Sequence, residues 1–159
     1  MTLEKPVKVL FVCMGNICRS PAAECLMRHQ LEGRKLTHEF VLDSAGTGGW
    51  HIGNKPDRRM RAAAKEVGRT IDGAARQVCE EDFIDFNWIF CMDNDNYDNL
   101  MSMGADPEKT HLLLDFVQHQ SVTQVPDPYY GGSDGFTNVI TLLESAVCDL
   151  IDRLLATTS

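Results

Sequence analysis

The chain has 159 residues, of which 43% are hydrophobic and 24% are charged, and its formal net charge is −8. This length suits one domain with a substantial core, and the negative charge argues against nucleic acid or an anionic membrane as the main partner. No stretch approaches the roughly 18 apolar residues of a membrane span. Six cysteines without a C-x-x-C pair and five histidines without ligand spacing predict no metal site. We therefore expect a cytoplasmic protein with reduced thiols.

The first half of the chain alternates strand-like and helix-like patterns. Residues 7–13 form a nearly continuous apolar run, as expected of a parallel strand that is buried on both faces. Helix signals follow over 21–33, a second strand pattern over 38–46, and a second helix pattern over 55–68.

The second half repeats this alternation. It predicts a strand over 87–93, a short helix over 94–104 and a strand over 111–116. The last helix is indicated by apolar residues spaced three and four apart from 136 to 154. Strands that alternate with helices predict an α/β fold with a parallel sheet and helices on both faces. Without a linker or a repeat, residues 1–159 form one predicted domain.

The segment VLFVCMGNICRSP carries the clearest chemical signal. Cys13 ends the first strand just before a helix, where sheets of this class bind their ligands. Residues 14–19 can therefore wrap backbone N–H groups around an anion near the helix N-terminus. Gly15 and Asn16 tolerate the backbone angles that such a loop needs, and Arg19 offers a planar fork that fits two phosphate oxygens.

The same environment favours a reactive thiolate. Helix N-termini and cationic neighbours lower the pKa of a cysteine thiol from about 8.5 to roughly 3.5–7.5. A thiolate that lies beneath a bound phosphate can attack phosphorus and form a cysteinyl-phosphate. The alternative is a core cysteine that happens to precede a helix, and it weakens once Gly15, Asn16 and the Ser-Pro pair at 20–21 are considered.

Four motifs together resemble the low-molecular-weight protein tyrosine phosphatases. They are CMGNICRSP at 13–21, DSAGT at 43–47, MDNDN at 92–96 and DPYYGG at 127–132, in the same order and spacing. The resemblance covers nearly the whole chain. It implies a four-stranded parallel sheet flanked by helices, and a phosphatase that needs no metal or other cofactor. The implied partners are tyrosine-phosphorylated proteins, with phosphate and vanadate as small ligands.

The resemblance implies roles for the main catalytic residues. Cys13 matches the nucleophile, Arg19 the phosphate-binding arginine and Asp127 the general acid. A tyrosine leaving group with a pKa of about 10 needs a proton, and general acid catalysis contributes about 10²–10⁴-fold. The alternative for Asp127 is a turn residue before Pro128.

Other positions match supporting roles in that family. Ser20 matches the hydroxyl that hydrogen-bonds the thiolate, Asn16 the residue that holds the loop shape, and Ser44 its partner. The remaining residues of the phosphate-binding loop are Met14, Gly15, Ile17 and Cys18. The walls of the substrate crevice are assigned to Trp50, Tyr129 and Tyr130, although Trp50 alone would also read as an exposed loop aromatic.

Two features leave questions open. Cys18 matches a second loop cysteine that can form a reversible disulfide with Cys13, or it simply fills the underside of the loop. Gly73 stands where many eukaryotic members carry a histidine, so the hydrogen bonds around Asn16 lack that support or find another. Cys25, Cys91 and Cys148 are predicted to be core residues.

Three other functions compete with phosphotyrosine hydrolysis. Arsenate reductases with this loop use two further cysteines, for which Cys79 and Cys91 are candidates. Arginine phosphatases carry a threonine where this chain has Ile17. A phosphate-binding adaptor would lack the nucleophile or the acid, and both Cys13 and Asp127 are present.

Overall fold

A single parallel sheet organises the chain in the computed structural model, which describes residues 6–119, 121–128 and 132–158. Its strand order is β2-β1-β3-β4, so the first strand is central, with Cys13 paired to Gly46 at its end. The four strands are β1 Val7–Cys13, β2 Phe40–Gly46, β3 Trp88–Cys91 and β4 Thr110–Leu112. The predicted four-stranded parallel sheet is confirmed.

Helices connect the strands and cover both faces of the sheet. They are α1 Arg19–Gly33, α2 Arg58–Glu66, α3 Glu80–Asp85, α4 Asn94–Ser102, α5 Leu113–Phe116 and α6 Gly135–Thr158, with 3-10 turns at Thr37–Glu39 and Gly132–Asp134. No helix within the described ranges is both long and apolar enough to cross a bilayer.

The residues of β1 alternate between two apolar cores, one on each face of the sheet. Val9, Phe11 and Cys13 pack into the larger core with residues of α1, α2 and α6. Leu10 and Val12 pack on the opposite face with residues of α3 and α4. Burial of a large apolar side chain contributes about 1.5–3 kcal/mol, so a strand that is apolar on both faces is held firmly. The end of β1 is therefore a rigid base for the loop that follows.

Several boundaries differ from the sequence prediction. The predicted strand over 111–116 is wrong, because β4 covers only Thr110–Leu112 and the buried leucines that follow turn into α5. An apolar run of this length fits a strand or a short helix equally well. The second strand is predicted from residue 38 but begins at Phe40, after the 3-10 turn Thr37–Glu39.

The second helix also begins later than predicted. Asp57 is its N-cap and accepts a hydrogen bond from the Arg59 backbone N–H, so the helix starts at Arg58 and not at 55. Capping by a side-chain oxygen satisfies an N–H group that lacks a partner inside the helix. Helix α3 was not predicted at all.

Candidate active site

The loop between β1 and α1 turns tightly around the end of the sheet. Cys13 is the last residue of β1 and is 2% exposed, and Arg19 is the first residue of α1. Between them Asn16 adopts a left-handed backbone with φ 58°, which asparagine tolerates better than most residues. Helix α1 therefore begins directly behind the thiol, and its N-terminal N–H groups lie at this end of the sheet.

Strand β2 supports the loop from the side. The backbone N–H groups of Thr47 and Gly48 donate to the carbonyl oxygens of Cys13 and Met14, both over 2.9 Å. A Cβ atom at Gly46 would lie 2.7 Å from the Met14 oxygen and 3.1 Å from the Asn16 nitrogen. The glycine of the DSAGT motif therefore lets the loop lie directly on the end of β2.

A chain of side-chain hydrogen bonds leads to the thiol. Cys13 Sγ is 2.9 Å from Ser20 Oγ. The Asn16 amide nitrogen donates to Ser20 Oγ over 2.8 Å and to Ser44 Oγ over 3.0 Å, while Asn16 Oδ1 accepts from the Arg76 backbone N–H over 2.9 Å. The structure thus brings together the thiol and the three residues that the resemblance placed around it.

Arg19 is held at the same site from two sides. Its Nη1 donates to Asp93 Oδ2 over 2.6 Å and to the Val125 carbonyl over 3.0 Å, and the residue is only 4% exposed. Burial alone would lower the pKa of this guanidinium, but the negative charge at Cys13, the hydrogen bond and charge of Asp93, and the charge of Asp127 together raise it. Arg19 is therefore a fixed cation beside the thiol.

Asp93 has a larger role than the helix cap that its position suggests. One carboxylate oxygen accepts from the Asn96 backbone N–H as the N-cap of α4, and the other accepts from Arg19. The MDNDN motif pointed to this segment. However, the contact with Arg19 joins residues 74 positions apart, and local spacing carries no signal of that pairing.

The segment that carries Asp127 borders an open cleft. Residues 121–127 and Asp93 line this cleft, whose volume is about 590 Å³. The segment is anchored at Val125, which is fully buried and whose N–H donates to the Met92 carbonyl over 2.7 Å. Asp127 is half-buried, and its charge acts on Arg19. Tyr129 and Tyr130, which are predicted to line the substrate crevice together with Trp50, lie outside the described residues.

Trp50 and His51 follow the end of β2 and lie beside the loop. The Trp50 ring covers Gly48, since a Cβ atom there would overlap it at 1.8 Å, and Trp50 is 72% exposed. The His51 ring lies against Gly15, a contact that the sequence analysis missed. An exposed aromatic ring next to a phosphate-binding loop is a suitable surface for an aryl group.

The remaining loop residues differ in their burial. Ile17 is half-buried, and its carbonyl accepts from the Asp57 backbone N–H over 2.7 Å, which ties the loop to the start of α2. Cys18 is buried and reduced, as is Cys13, so their disulfide stays a prediction. Met14 is exposed.

The other cysteines separate by burial. Cys25 and Cys91 are buried as predicted, whereas the prediction for Cys148 is wrong, because its side chain is half-exposed and contacts Arg34. Burial raises the pKa of the Cys25 thiol to about 11, and burial also raises the pKa of Cys91. Both thiols are therefore protonated and inert near neutral pH.

One group of side chains in the described ranges has metal-like spacing. Cys148, Asp149 and Asp152 on α6 place one ligand atom each within 4.8 Å of one another. Arg34 already donates to Asp152 Oδ1 and to the Cys148 sulfur. The cluster lies on α6, away from the loop at Cys13, and it does not enter the chemistry below.

Comparison with known proteins agrees with this architecture. The family model for low molecular weight phosphotyrosine protein phosphatase matches residues 8–158. The chain belongs to this family. The Bacillus subtilis low molecular weight protein-tyrosine-phosphatase YfkJ is 42% identical over 148 residues, covering 91% of this chain and 94% of the relative. Its crystal structure matches with a TM-score of 0.91 at 39% identity, over 97% of this chain and 98% of that one.

Two further solved structures bear on the substrate. A protein tyrosine phosphatase from Entamoeba histolytica matches with a TM-score of 0.89 at 44% identity, over 96% of this chain and 99% of that one. A Drosophila arginine phosphatase matches with a TM-score of 0.84 at 32% identity, over 93% of this chain and 98% of that one. The shared fold therefore serves more than one phosphorylated side chain.

Proposed function

We propose that this protein hydrolyses phosphotyrosine and other aryl phosphates through a cysteinyl-phosphate on Cys13. The observation that carries the proposal is the buried thiol 2.9 Å from Ser20 Oγ, at the N-terminus of α1 and beside the fixed guanidinium of Arg19. This arrangement places a nucleophile, N–H donors and a cation around one point, as phosphoryl transfer requires.

In the first step the Cys13 sulfur attacks phosphorus as the phenolic oxygen leaves. The new S–P bond replaces the O–P bond, and the electron pair of the broken bond goes to the phenolic oxygen. Asp127 gives this oxygen its proton, so the phenol departs neutral. Arg19 and the loop N–H groups stabilise the charge on the three oxygens that do not react.

In the second step water attacks the phosphorus of the cysteinyl-phosphate. The carboxylate of Asp127, left by the first step, takes a proton from this water, and the sulfur leaves as thiolate. The products are inorganic phosphate and the starting enzyme. The hydroxyl of Ser20 donates to the sulfur in the thiolate form and so favours both its attack and its departure.

The substrates that we propose are tyrosine-phosphorylated proteins, with phosphate and vanadate as ligands of the loop. The exposed Trp50 ring beside the loop supports an aryl substrate. We also propose a cytoplasmic location, which the six reduced cysteines support. An arsenate reductase that relays a disulfide through Cys79 and Cys91 is disfavoured, because Cys91 is fully buried in β3.

Steady-state kinetics on phosphotyrosine, phosphoarginine, phosphoserine and arsenate test the substrate. We expect the highest kcat/KM on phosphotyrosine. A higher value on phosphoarginine would move the proposal to the function of the Drosophila neighbour.

Replacement of the nucleophile tests the intermediate. Cys13→Ser is expected to lose at least 99% of turnover while vanadate still binds, because the N–H groups and Arg19 remain. Binding is measured by titration calorimetry. More than a few per cent of residual turnover would exclude Cys13 as the nucleophile.

A further inference from the structure

The hydrogen-bond chain behind the thiol continues past Ser44 to a carboxylate on α1. Ser44 Oγ donates to Glu24 Oε1 over 2.7 Å, and the second carboxylate oxygen of Glu24 pairs with Arg28 one turn further along the helix. The Glu24 side chain is 15% exposed. The pairing with Arg28 has the i,i+4 spacing of neighbours on one helix face, whereas the contact with Ser44 joins residues 20 positions apart and does not follow from the local sequence pattern.

Glu24 also explains what supports the loop where Gly73 replaces a histidine. A small cavity of about 90 Å³ separates Gly73 from the network, and its lining includes Asn16, Glu24, Ser44 and Asp72. A Cβ atom at Gly73 would meet nothing within 4 Å. The network therefore ends at the carboxylate of Glu24 and not at the position of the missing ring.

A carboxylate at the end of the chain fixes the direction of the next hydrogen bond. An ionised carboxylate only accepts, so the Ser44 hydroxyl must use its single hydrogen toward Glu24. Ser44 Oγ can then only accept from Asn16, whose amide nitrogen lies 3.0 Å away. The Arg76 backbone N–H fixes the same amide orientation from the other side, since it requires an oxygen at Asn16 Oδ1.

The same assignment of donors and acceptors continues along the chain to the sulfur of Cys13. The second hydrogen of the Asn16 amide goes to Ser20 Oγ at 2.8 Å, so Ser20 accepts there and keeps its own hydrogen for another partner. Its two possible acceptors are Cys13 Sγ at 2.9 Å and the Ala45 carbonyl at 3.4 Å. The shorter contact is the one to sulfur.

We propose that Glu24 is a positioning residue for the catalytic thiolate: it orients Ser44 and Asn16 so that Ser20 donates to Cys13. This inference rests on the proposed role of Cys13 as nucleophile. Without the carboxylate, the Ser44 hydroxyl is free to rotate and the Arg76 N–H alone holds the Asn16 amide. The hydrogen bond from Asn16 to Ser20 is then less firmly held, and the Ser20 hydrogen can turn toward Ala45.

The test is the pH profile of Cys13 alkylation by iodoacetamide, followed by peptide mass spectrometry so that each cysteine is read separately. In Glu24→Ala we expect the midpoint of the profile to move to higher pH. Below the wild-type midpoint, alkylation should slow by about two- to tenfold, the range set by one ordinary hydrogen bond. Glu24→Gln keeps the size of the side chain and should move the midpoint in the same direction. Glutamine has only one oxygen, so Arg28 and Ser44 would compete for the acceptor that Glu24 offers to each of them separately.

The sign of the shift separates this proposal from a simple charge effect. Removal of a negative charge alone would favour the thiolate and move the midpoint to lower pH. The charged and titratable groups around the thiol stay in place in these variants; they are Arg19, Asp93, Asp127 and His51. Those around Glu24 also stay, namely Arg28, Asp43, Asp72 and Arg76.

Matched variants complete the experiment. Glu32→Ala makes the same charge change at an exposed position on the same helix, and its profile should match the wild type. In a Ser44→Ala background, Glu24→Ala should add no further shift, because residues that act through one network are not additive.

An unchanged midpoint, a shift to lower pH, or an equal shift with and without Ser44 would each overturn the proposal. Alkylation is measured without any substrate, so it does not test the proposed function. That function would instead be contradicted by turnover in the Cys13→Ser variant.

Discussion

Arg19 is held so that one edge of its guanidinium stays available. Asp93 and the Val125 carbonyl both engage Nη1, while Nε and Nη2 have no hydrogen-bond partner among the described residues. These two nitrogens form the edge of the fork that binds two oxygens of a phosphate in parallel. The protein contacts therefore orient the cation before a substrate arrives, and little ordering remains for the binding step.

Asp127→Asn should distinguish a general acid from a turn residue. Loss of the acid leaves the phenol of tyrosine, with a pKa of about 10, to depart as an anion. We expect a loss of about 10²–10⁴-fold on phosphotyrosine. A more acidic nitrophenol leaves without a proton, so the loss on its phosphate should be much smaller. The measurement is the pre-steady-state release of phenol, which isolates the first step from hydrolysis of the intermediate.

Equal losses on the two substrates would mean that Asp127 only shapes the turn. Asp134→Asn is a suitable control, because Asp134 is exposed and belongs to the 3-10 turn Gly132–Asp134, after the segment that carries Asp127. It should leave both rates near those of the wild type.

The loop between β1 and α1 depends on close contact with the end of β2. Gly46→Ala would place a Cβ atom 2.7 Å from the Met14 oxygen and 3.1 Å from the Asn16 nitrogen, both of which are backbone atoms that cannot rotate away. We expect kcat/KM to fall by more than tenfold, because the N–H groups of the loop would move. The melting temperature should fall as well, since overpacking costs about 1–3 kcal/mol.

Gly33→Ala is the matched control for this change. Gly33 ends α1, and a Cβ atom there meets nothing within 4 Å. The substitution should leave activity unchanged. If Gly46→Ala behaved like Gly33→Ala, the loop would not depend on its contact with β2.

Helix α3 supports the site through Arg76. Two guanidinium nitrogens of Arg76 donate to Asp82 over 2.9 and 3.0 Å, and its Nε donates to Asp43. Burial by itself would raise the pKa of Asp82, but the hydrogen bonds from Arg76 and the Cys79 N–H lower it. The backbone N–H of Arg76 in turn holds Asn16. A short helix on one face thus fixes a residue of the loop.

The lowered pKa of Asp82 predicts how stability depends on pH. Its contribution is complete above the ordinary aspartate pKa of 3.8 and is lost as the pH falls through the lower folded value. Asp82→Asn should therefore lose about 1–3 kcal/mol of unfolding free energy at pH 6–7. The difference from the wild type should shrink below pH 4.

Urea unfolding across this pH range measures the effect. Asp85→Asn, at the exposed end of the same helix, should show little change at any pH. A difference between the wild type and Asp82→Asn that stayed constant down to pH 2 would show that the carboxylate charge is not what stabilises this contact.

Sequence patterns predicted some of these elements and not others, for physical reasons. The strand β1 and the helix α6 bury long apolar surfaces, and their periodicity reveals them directly. Helices α3 and α5 have six and four residues, too few to show a period. The contacts of Arg19 with Asp93 and of Ser44 with Glu24 join distant parts of the chain, and no local spacing encodes them.

At the scale of the whole molecule, a locally cationic site lies within a strongly acidic protein. The net charge is −8, yet the proposed phosphate site consists of Arg19 and the backbone N–H groups at the start of α1. Attraction of an anionic substrate is therefore short-ranged, because salt screens the distant charges at about 8–10 Å. The site supplies its positive charge from within the fold.

Turnover should consequently persist in excess chelator. We expect kcat/KM on phosphotyrosine to change by less than about twofold in roughly 10 mM EDTA. The reason is that groups of the protein itself stabilise the charge of the transition state. Activity that disappeared with chelator and returned with a divalent ion would show that a metal takes part. Calorimetric melting with and without chelator serves as the control for structural ions.

Two backbone hydrogen bonds of Val125 restrict the segment that leads to Asp127. The Val125 N–H is fastened to the end of β3 and its carbonyl to the Arg19 guanidinium, and Asp127 follows only two residues later, a span of about 7 Å at most. The segment that leads to Asp127 cannot move away at Val125 without breaking the hydrogen bond to Arg19. The proposed proton donor and the proposed phosphate-binding arginine are therefore both tied to Val125, and we expect a bulky substrate to approach past the exposed Trp50 ring, which lies against Gly48 just after β2.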